Sequence, residues 1–149
     1  MISKLLIANR GAIARRIVRA CHDLGIASVV VYSEADSGAP YLSEASEAYP
    51  LKGLKASDSY LDEDQLLAIA KASGADSVHP GYGFLAENPG FAQRVIDNQM
   101  VFVGPSAHWI EQMGDKVNAR RIMADAGLSM LPGSGLIDDP QAAYDFAEE

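Results

Sequence analysis

Short apolar runs alternate with longer segments of helical periodicity along most of this chain. Residues 4–8 form a compact apolar run. Between residues 11 and 24 apolar side chains recur every three or four positions, which predicts a strand followed by an amphipathic helix. Gly25 stands where a helix ends in the left-handed conformation. Because residues 28–32 are apolar on both faces, as in a parallel strand covered by helices on each side, a βαβ unit is complete by residue 32.

The same alternation continues to residue 127 after a weaker stretch. Residues 33–60 are rich in small and acidic residues and predict only one short strand, at 48–51. Asp62 with Gln65 resembles a capping box, and Asn88 precedes a proline at the first helical position. The alternation predicts an α/β fold, a Rossmann-like open parallel sheet with helices on both faces. The later predicted helices cover residues 62–74, 88–98, 106–113 and 115–127 and begin again at 139, and the later strands cover 77–79 and 101–103.

Composition narrows the function classes. The chain has 149 residues, of which 48% are hydrophobic and 21% charged, as in a soluble globular domain. Its apolar runs fall short of the roughly 18 residues that a membrane span needs. A formal charge of -8 opposes general binding to nucleic acid or anionic membranes. The single cysteine, Cys21, and the scattered histidines predict no metal site, and without a targeting segment we expect a cytoplasmic location.

The loop after the first predicted strand, residues 9–14, is one place where a ligand is expected. Its backbone N–H groups at a helix N-terminus suit an anion, with Arg10 assisting. Glu34 stands about where a dinucleotide-binding sheet places its ribose-binding acid. Only one of the three glycines of that fingerprint is present, yet a nicotinamide site stays open as an alternative.

The loop of residues 79–88 is the second place. Pro80 and two glycines set a particular backbone path there, which presents His79, Tyr82 and Glu87 at the carboxyl end of a strand. His79 fits a structural histidine as well as a working base. Phe84 is expected to pack as a core aromatic residue.

Two groups of basic residues are interpreted either as functional sites or as solvated side chains. Lys116 opens a predicted helix, where a cation opposes the helix dipole, so a phosphate partner is expected unless the side chain is simply solvated. Arg15, Arg16 and Arg19 lie on the first helix, with Asp23 four positions after Arg19. This helix face is either a solvated surface or a surface for self-association.

Five stretches, in order, resemble the N-terminal domain of biotin carboxylase. They are residues 7–14 (Ile-Ala-Asn-Arg-Gly-x-Ile-Ala), 16–21 (Arg-Ile-x-Arg-Ala-Cys), 79–88 (His-Pro-Gly-Tyr-Gly-Phe-Leu-x-Glu-Asn), 102–105 (Phe-Val-Gly-Pro) and 113–116 (Met-Gly-Asp-Lys). The stretch at 79–88 is the most specific. Members of that family use ATP and bicarbonate to carboxylate biotin on a carrier protein, and they serve acetyl-CoA, propionyl-CoA, methylcrotonyl-CoA and pyruvate carboxylases.

The resemblance implies a domain division and a set of partners. Residues 1–115 correspond to the Rossmann-like, pre-ATP-grasp domain, and residues 116–149 to the beginning of the ATP-grasp domain. ATP, Mg²⁺, biotin and bicarbonate then belong to the complete enzyme, with a biotin carboxyl carrier, a carboxyltransferase and a second copy as partners. We expect the chain alone to be inactive and to hold none of these cofactors. The matching functional positions are Lys116 for ATP, Tyr82 and Gly83 near biotin, His79 and Glu87 in the active-site loop, and Arg16, Arg19 and Asp23 at the dimer contact.

Two positions depart from the family's pattern, and two other functions stay open. Ala12 replaces a usual glutamate, and Ala86 replaces a usual serine. A nicotinamide-dependent oxidoreductase would bind dinucleotides through this chain. A non-catalytic dimerisation or docking module would depend on Arg16 and Arg19 but not on Tyr82. Other ATP-grasp ligases begin with similar domains, and the tyrosine-containing loop argues against them.

Overall fold

The computed structural model describes residues 1–134, 136–137 and 139–148. Its contacts divide the chain into two units, Met1–Ile110 and Glu111–Glu149. The strands are β1 (Lys4–Ile7), β2 (Ala27–Tyr32), β3 (Glu47–Pro50), β4 (Ser77–His79) and β5 (Val101–Phe102). The helices are α1 (Gly11–Leu24), α2 (Tyr41–Glu44), α3 (Glu63–Ser73), α4 (Pro89–Asp97), α5 (Ala107–Gly114), α6 (Lys116–Asp125) and α7 (Pro140–Glu148).

The five strands form one parallel sheet in the order β3-β2-β1-β4-β5. Strand β1 lies at the centre, where Leu6 is in register with Val29 of β2 and Val78 of β4. The chain builds the sheet outward from β1 on one side and then on the other. The predicted α/β class is confirmed, and the point where the strand order reverses lies between β1 and β4, the usual ligand crevice of such sheets.

Each face of the sheet has its own hydrophobic core. Alternate side chains of a strand point to opposite faces. Leu5 and Ile7 pack with α1 and with Tyr41, whereas Leu6 and Ala8 pack with α3 and α4 on the other side. Burial on both faces explains why β1 and β2 are continuous apolar runs in the sequence.

The predicted helix ends are present. Gly25 adopts a φ of 68° after α1. Asp62 accepts a hydrogen bond from the Gln65 backbone N–H at 3.0 Å and another from Gln65 Nε2 at 2.9 Å. At the start of α4, Asn88 Oδ1 accepts from the Phe91 N–H at 2.9 Å. These caps satisfy backbone donors that a helix cannot pair internally.

The segment 33–60 holds more structure than the sequence predicts. The predicted strand is present as β3, but α2 and two short 3₁₀ turns, Glu34–Asp36 and Ala56–Asp58, were not expected. Helix α2 depends on Tyr41, which is 1% exposed and whose hydroxyl donates to the Val31 carbonyl at 3.1 Å. A helix that depends on one buried residue shows no hydrophobic periodicity in the sequence, so α2 was not predicted. Within the described residues, no helix is both long and apolar enough to cross a membrane.

Replacing Asn88 tests the cap of α4. We expect Asn88→Ala to lower the free energy of unfolding by about 1 kcal/mol, because the Phe91 N–H loses its acceptor. Asn88→Ser keeps an acceptor oxygen and should retain most of the stability. Urea denaturation at neutral pH measures both variants, and equal losses in the two would contradict the cap.

Candidate functional site

The loops that follow β1 and β4 meet at the point where the strand order reverses, and Asn9 joins them. Asn9 is 3% exposed. Its Nδ2 donates to the carbonyl oxygens of Pro80 at 2.8 Å and Tyr82 at 2.9 Å, and its Oδ1 accepts from the Arg10 N–H at 2.9 Å. The side-chain amide therefore uses both of its donor hydrogens to hold the second loop against the first.

The second loop follows an unusual backbone path. Gly81, Gly83 and Phe84 all have positive φ, at 70°, 60° and 44°. A Cβ atom on Gly81 would lie 2.7 Å from Asn9 Nδ2, so both its conformation and the close approach of Asn9 require glycine there. His79 Nδ1 accepts the Gly81 N–H at 3.0 Å. Hydrogen bonds with the side chains of Asn9 and His79 therefore hold the predicted turn.

Arg10, in the loop after β1, belongs to a polar cluster with Asp36 and Tyr60. Its Nε donates to Asp36 Oδ2 at 2.6 Å, and the Tyr60 hydroxyl donates to the same oxygen at 2.6 Å. The hydrogen bond from Arg10 lowers the pKa of Asp36, whereas burial raises the pKa of Tyr60. The expectation that Arg10 assists an anion at the start of α1 is therefore corrected, because the structure pairs its charge with Asp36.

The side chains of the second loop differ in exposure. Tyr82 is 66% exposed and presents its ring to solvent. Phe84 is also exposed, which corrects the expectation of a core residue, and its ring stacks on Tyr60 with centroids 5.6 Å apart. Glu87 is exposed. Among the described residues His79, Tyr82 and Glu87 share the loop without hydrogen bonds between their side chains.

His79 lies half-buried beside α1. Burial lowers its pKa, and the nearby charge of Arg16 lowers it further. A neutral ring with an unprotonated Nδ1 is the form that accepts the Gly81 N–H. Of the two roles that the sequence left open, this contact favours the structural one.

Two of the three arginines on the basic face of α1 share one carboxylate of the same chain. Arg15 and Arg19 both approach Glu44, with Arg15 Nε at 2.8 Å from Oε1 and Arg19 Nε at 3.5 Å from Oε2. Asp23 instead lies near His22, its Oδ1 3.7 Å from His22 Nδ1. Glu44 therefore offsets part of the repulsion between the arginines of this helix. Arg16 and Arg19 remain exposed.

Lys116 belongs to the second unit, where it begins α6. Asp115 Oδ1 accepts from the Asn118 N–H at 2.7 Å, which confirms the predicted cap, and Lys116 is exposed in the first turn. In the part of the chain that the structure describes, no cluster of three or more His, Cys, Asp or Glu side chains is arranged to hold a metal ion.

Three residues of the site were missed from the sequence as members of a cluster. Asn9 followed a buried strand and was treated only as part of a loop. Asp36 and Tyr60 lie in the segment whose pattern was weak. Asp36 is 26 positions after its partner Arg10, and Tyr60 is 24 positions after Asp36. Of these three residues only Asn9 could have been identified from the sequence, because it is a polar residue directly after the predicted strand.

Comparison with known proteins gives a consistent result. The family model described as "Biotin carboxylase, N-terminal domain" matches residues 1–110. The chain is 49% identical over 150 residues to Biotin carboxylase 1 of Bacillus subtilis, covering 100% of the chain and 33% of that protein. It is 45% identical over 149 residues to the pyruvate carboxylase of the same organism, covering 99% of the chain and 13% of that protein. The chain thus spans a third or less of the length of these curated relatives.

A solved structure agrees over the same length. The biotin carboxylase domain dimer of Hydrogenobacter thermophilus 2-oxoglutarate carboxylase, in complex with MgADP, ADP and bicarbonate, superposes with a TM-score of 0.89 at 42% identity. The match covers 99% of this chain and 33% of that one. The similarity extends through both units of the chain.

The histidine contact predicts a pH dependence of stability. Because the folded-state pKa of His79 is lowered, the unfolded chain takes up a proton at a higher pH than the folded chain. Stability is therefore full above the ordinary histidine pKa of about 6.5 and falls as the pH drops below it. Urea midpoints between pH of about 7.5 and 5.5 should fall less in His79→Gln than in the unmodified protein.

The exposed residue His108 provides the control for this measurement. His108→Gln should leave the pH dependence as it is in the unmodified protein, since the side chain is exposed. Carboxylates such as Asp36, whose pKa is lowered, lose their contribution only at more acidic pH. Identical slopes in His79→Gln and the unmodified protein would contradict the assignment.

Proposed function

The chain belongs to the family of the biotin carboxylase N-terminal domain, and we propose that it forms the amino-terminal part of an enzyme that uses ATP and bicarbonate to carboxylate biotin on a carrier protein. The match of the family model to residues 1–110, which is the whole first unit, carries the proposal. The solved neighbour in complex with MgADP and bicarbonate supports the reaction class, an ATP-dependent ligation.

The loop after β4 is the part of the chain that we assign to biotin. Tyr82 offers an exposed aromatic face and a hydroxyl group, which suits a flat ring with polar edges. Gly83 has no side chain, so a ligand can approach its backbone closely. Glu87 is the exposed carboxylate of the same loop, and His79 supports the loop from below through Gly81.

The nucleotide is assigned to Lys116, whose exposed ammonium group suits a phosphate. We assign no Mg²⁺ ligand to this chain. Because the chain spans about a third of the length of its curated relatives, we propose that the rest of the enzyme supplies the remaining ligands of ATP, Mg²⁺ and carrier-bound biotin. The free, buried thiol of Cys21 fits a reducing cytoplasm, which is where we place the activity.

The nicotinamide alternative loses support from the geometry of the site. A dinucleotide-binding sheet keeps the crevice at the reversal of strand order open for the pyrophosphate. Here Asn9 spans this crevice, because its side chain donates hydrogen bonds to the loop after β4, and Arg10 is paired with Asp36. Glu34 lies exposed in a 3₁₀ turn.

We assign Arg16, Arg19 and Asp23 to a contact with a second copy of the enzyme. The solved neighbour is described as a dimer. The carrier and the carboxyltransferase are the other partners. Relatives named for pyruvate and 2-oxoglutarate share this domain, so we infer that its residues serve the carboxylation of biotin and that acceptor specificity lies elsewhere.

Lys116→Ala in the complete enzyme tests the nucleotide assignment. The KM for ATP should rise about tenfold or more, because a hydrogen bond to a charged group contributes about 1.5–3 kcal/mol. Biotin- and bicarbonate-dependent release of phosphate from ATP is the measurement. Lys52→Ala, which removes an exposed lysine of the first unit, is the control. An unchanged KM would mean that Lys116 is only solvated, and no biotin-dependent turnover in the unmodified enzyme would reject the proposed function.

Arg19→Glu tests the self-association surface. The substitution places a carboxylate beside Glu44, 3.5 Å from the present Arg19 Nε, and removes a cation from the proposed contact. Dimerisation of the complete enzyme should weaken by about 2 kcal/mol. Sedimentation equilibrium compares it with Lys71→Glu, which makes the same change in charge on α3 across the sheet. If both variants have the dimer constant of the unmodified enzyme, Arg19 belongs to a solvated face.

A further inference from the structure

One buried side chain holds the loop to which we assign biotin. Asn9 is 3% exposed, and its amide makes three hydrogen bonds, all with backbone: it donates to the Pro80 and Tyr82 carbonyls and accepts from the Arg10 N–H. No other polar side chain among the described residues contacts the carbonyls of both Pro80 and Tyr82. The contact spans the reversal of strand order, so it couples the ends of two central strands.

The loop needs such a support because its backbone is unfavourable on its own. Three of its residues adopt left-handed conformations, and one of them is Phe84. Non-glycine residues stay in this region only when surrounding structure holds them there. Beyond Asn9, the loop is supported by the Gly81 N–H bond to His79 and by an internal bond from the Ala86 N–H to the Gly83 carbonyl at 2.8 Å.

The polarity of the contact is specific to asparagine. Both loop atoms that face Nδ2 are carbonyl oxygens, so only a donor can satisfy them. An aspartate of the same shape would set a carboxylate oxygen against two carbonyls in a buried place, where repulsion and desolvation act together. Asn9→Asp therefore removes the contact with almost no change in volume.

We propose that Asn9 is a positioning residue that holds the 80–84 loop in the conformation that presents Tyr82 and Gly83 to biotin. The inference rests on the proposed function for the identity of the ligand but not for the contact itself. A loop already in its binding conformation spares the ligand the entropic cost of ordering it. Loss of Asn9 should then weaken biotin binding while nucleotide binding at Lys116 is retained.

Hydrogen exchange tests the contact without reference to activity. In this chain, Asn9→Asp should speed exchange of the Gly81 and Ala86 amides, which are hydrogen-bonded within the loop, by about tenfold, because the loop opens locally more often. The strands and α3 should exchange as in the unmodified protein. Asn98→Asp is the matched control, since Asn98 Nδ2 also donates to a backbone carbonyl, that of Arg94 at 2.7 Å. It should leave the loop unchanged.

A second variant disturbs the same contact from the loop side. Gly81→Ala places a Cβ 2.7 Å from Asn9 Nδ2 in a backbone of positive φ, and it serves alone if Asn9→Asp does not fold. If Asn9 acts through the loop, the double variant should loosen residues 80–85 no more than the larger single effect, which is the non-additivity of residues in one network.

Kinetics in the complete enzyme then separate positioning from general damage. We expect the KM for biotin to rise about tenfold in Asn9→Asp, with the KM for ATP unchanged, because the loss of one buried contact corresponds to about 1.4 kcal/mol. Unchanged loop exchange in both variants would overturn the proposal, and so would faster loop exchange with an unchanged KM for biotin. Failure of the proposed function is seen separately, as absence of biotin-dependent turnover in the unmodified enzyme.

Discussion

The burial of β1 on both faces and both edges is the constraint on which the rest of this structure depends. Its side chains contribute to two separate cores, and its backbone pairs with β2 and β4. A strand held this way has no freedom to shift, so the residue after it emerges at a fixed place. Asn9 is near that point, and its amide meets the loop after β4. The geometry of the site is therefore set by the packing of the sheet.

Two arginines, one in the loop after β1 and one on α1, are paired with carboxylates of the same chain, which has an excess of acidic residues. Arg10 is held by Asp36, and Arg15 by Glu44. Arg10 also lies over the Tyr60 ring, 5.7 Å from its centroid, and Tyr60 in turn stacks on Phe84. Charge pairing, a cation over an aromatic ring and ring stacking thus link the first loop to the second by a route independent of Asn9.

The sequence was sufficient for the main elements because their signals are local. The period of α1, the cap at Asp62 and the glycines after α1 and α3 each involve residues a few positions apart. The hydrogen bonds of Asn9 were not predictable in this way, because their partners lie 71 and 73 positions further along the chain than Asn9. Helix α2 was not predicted for a related reason, since it depends on the burial of Tyr41 and not on a repeating pattern of apolar residues. The resemblance predicts a functional role for the loop after β4, and the structure shows which residues hold that loop.

The loop after β4 combines a left-handed Phe84 with an exposed Tyr82, and both go against the usual preferences of a folded chain. Such exceptions collect where a structure is shaped for a ligand, and they persist because neighbouring contacts compensate for them. Here those contacts come from the side chains of Asn9, His79 and Tyr60. A loop that is held at several points by the rest of its domain has less freedom to lose when a ligand binds. If the loop binds biotin as proposed above, the exposed ring of Tyr82 is therefore already supported before binding.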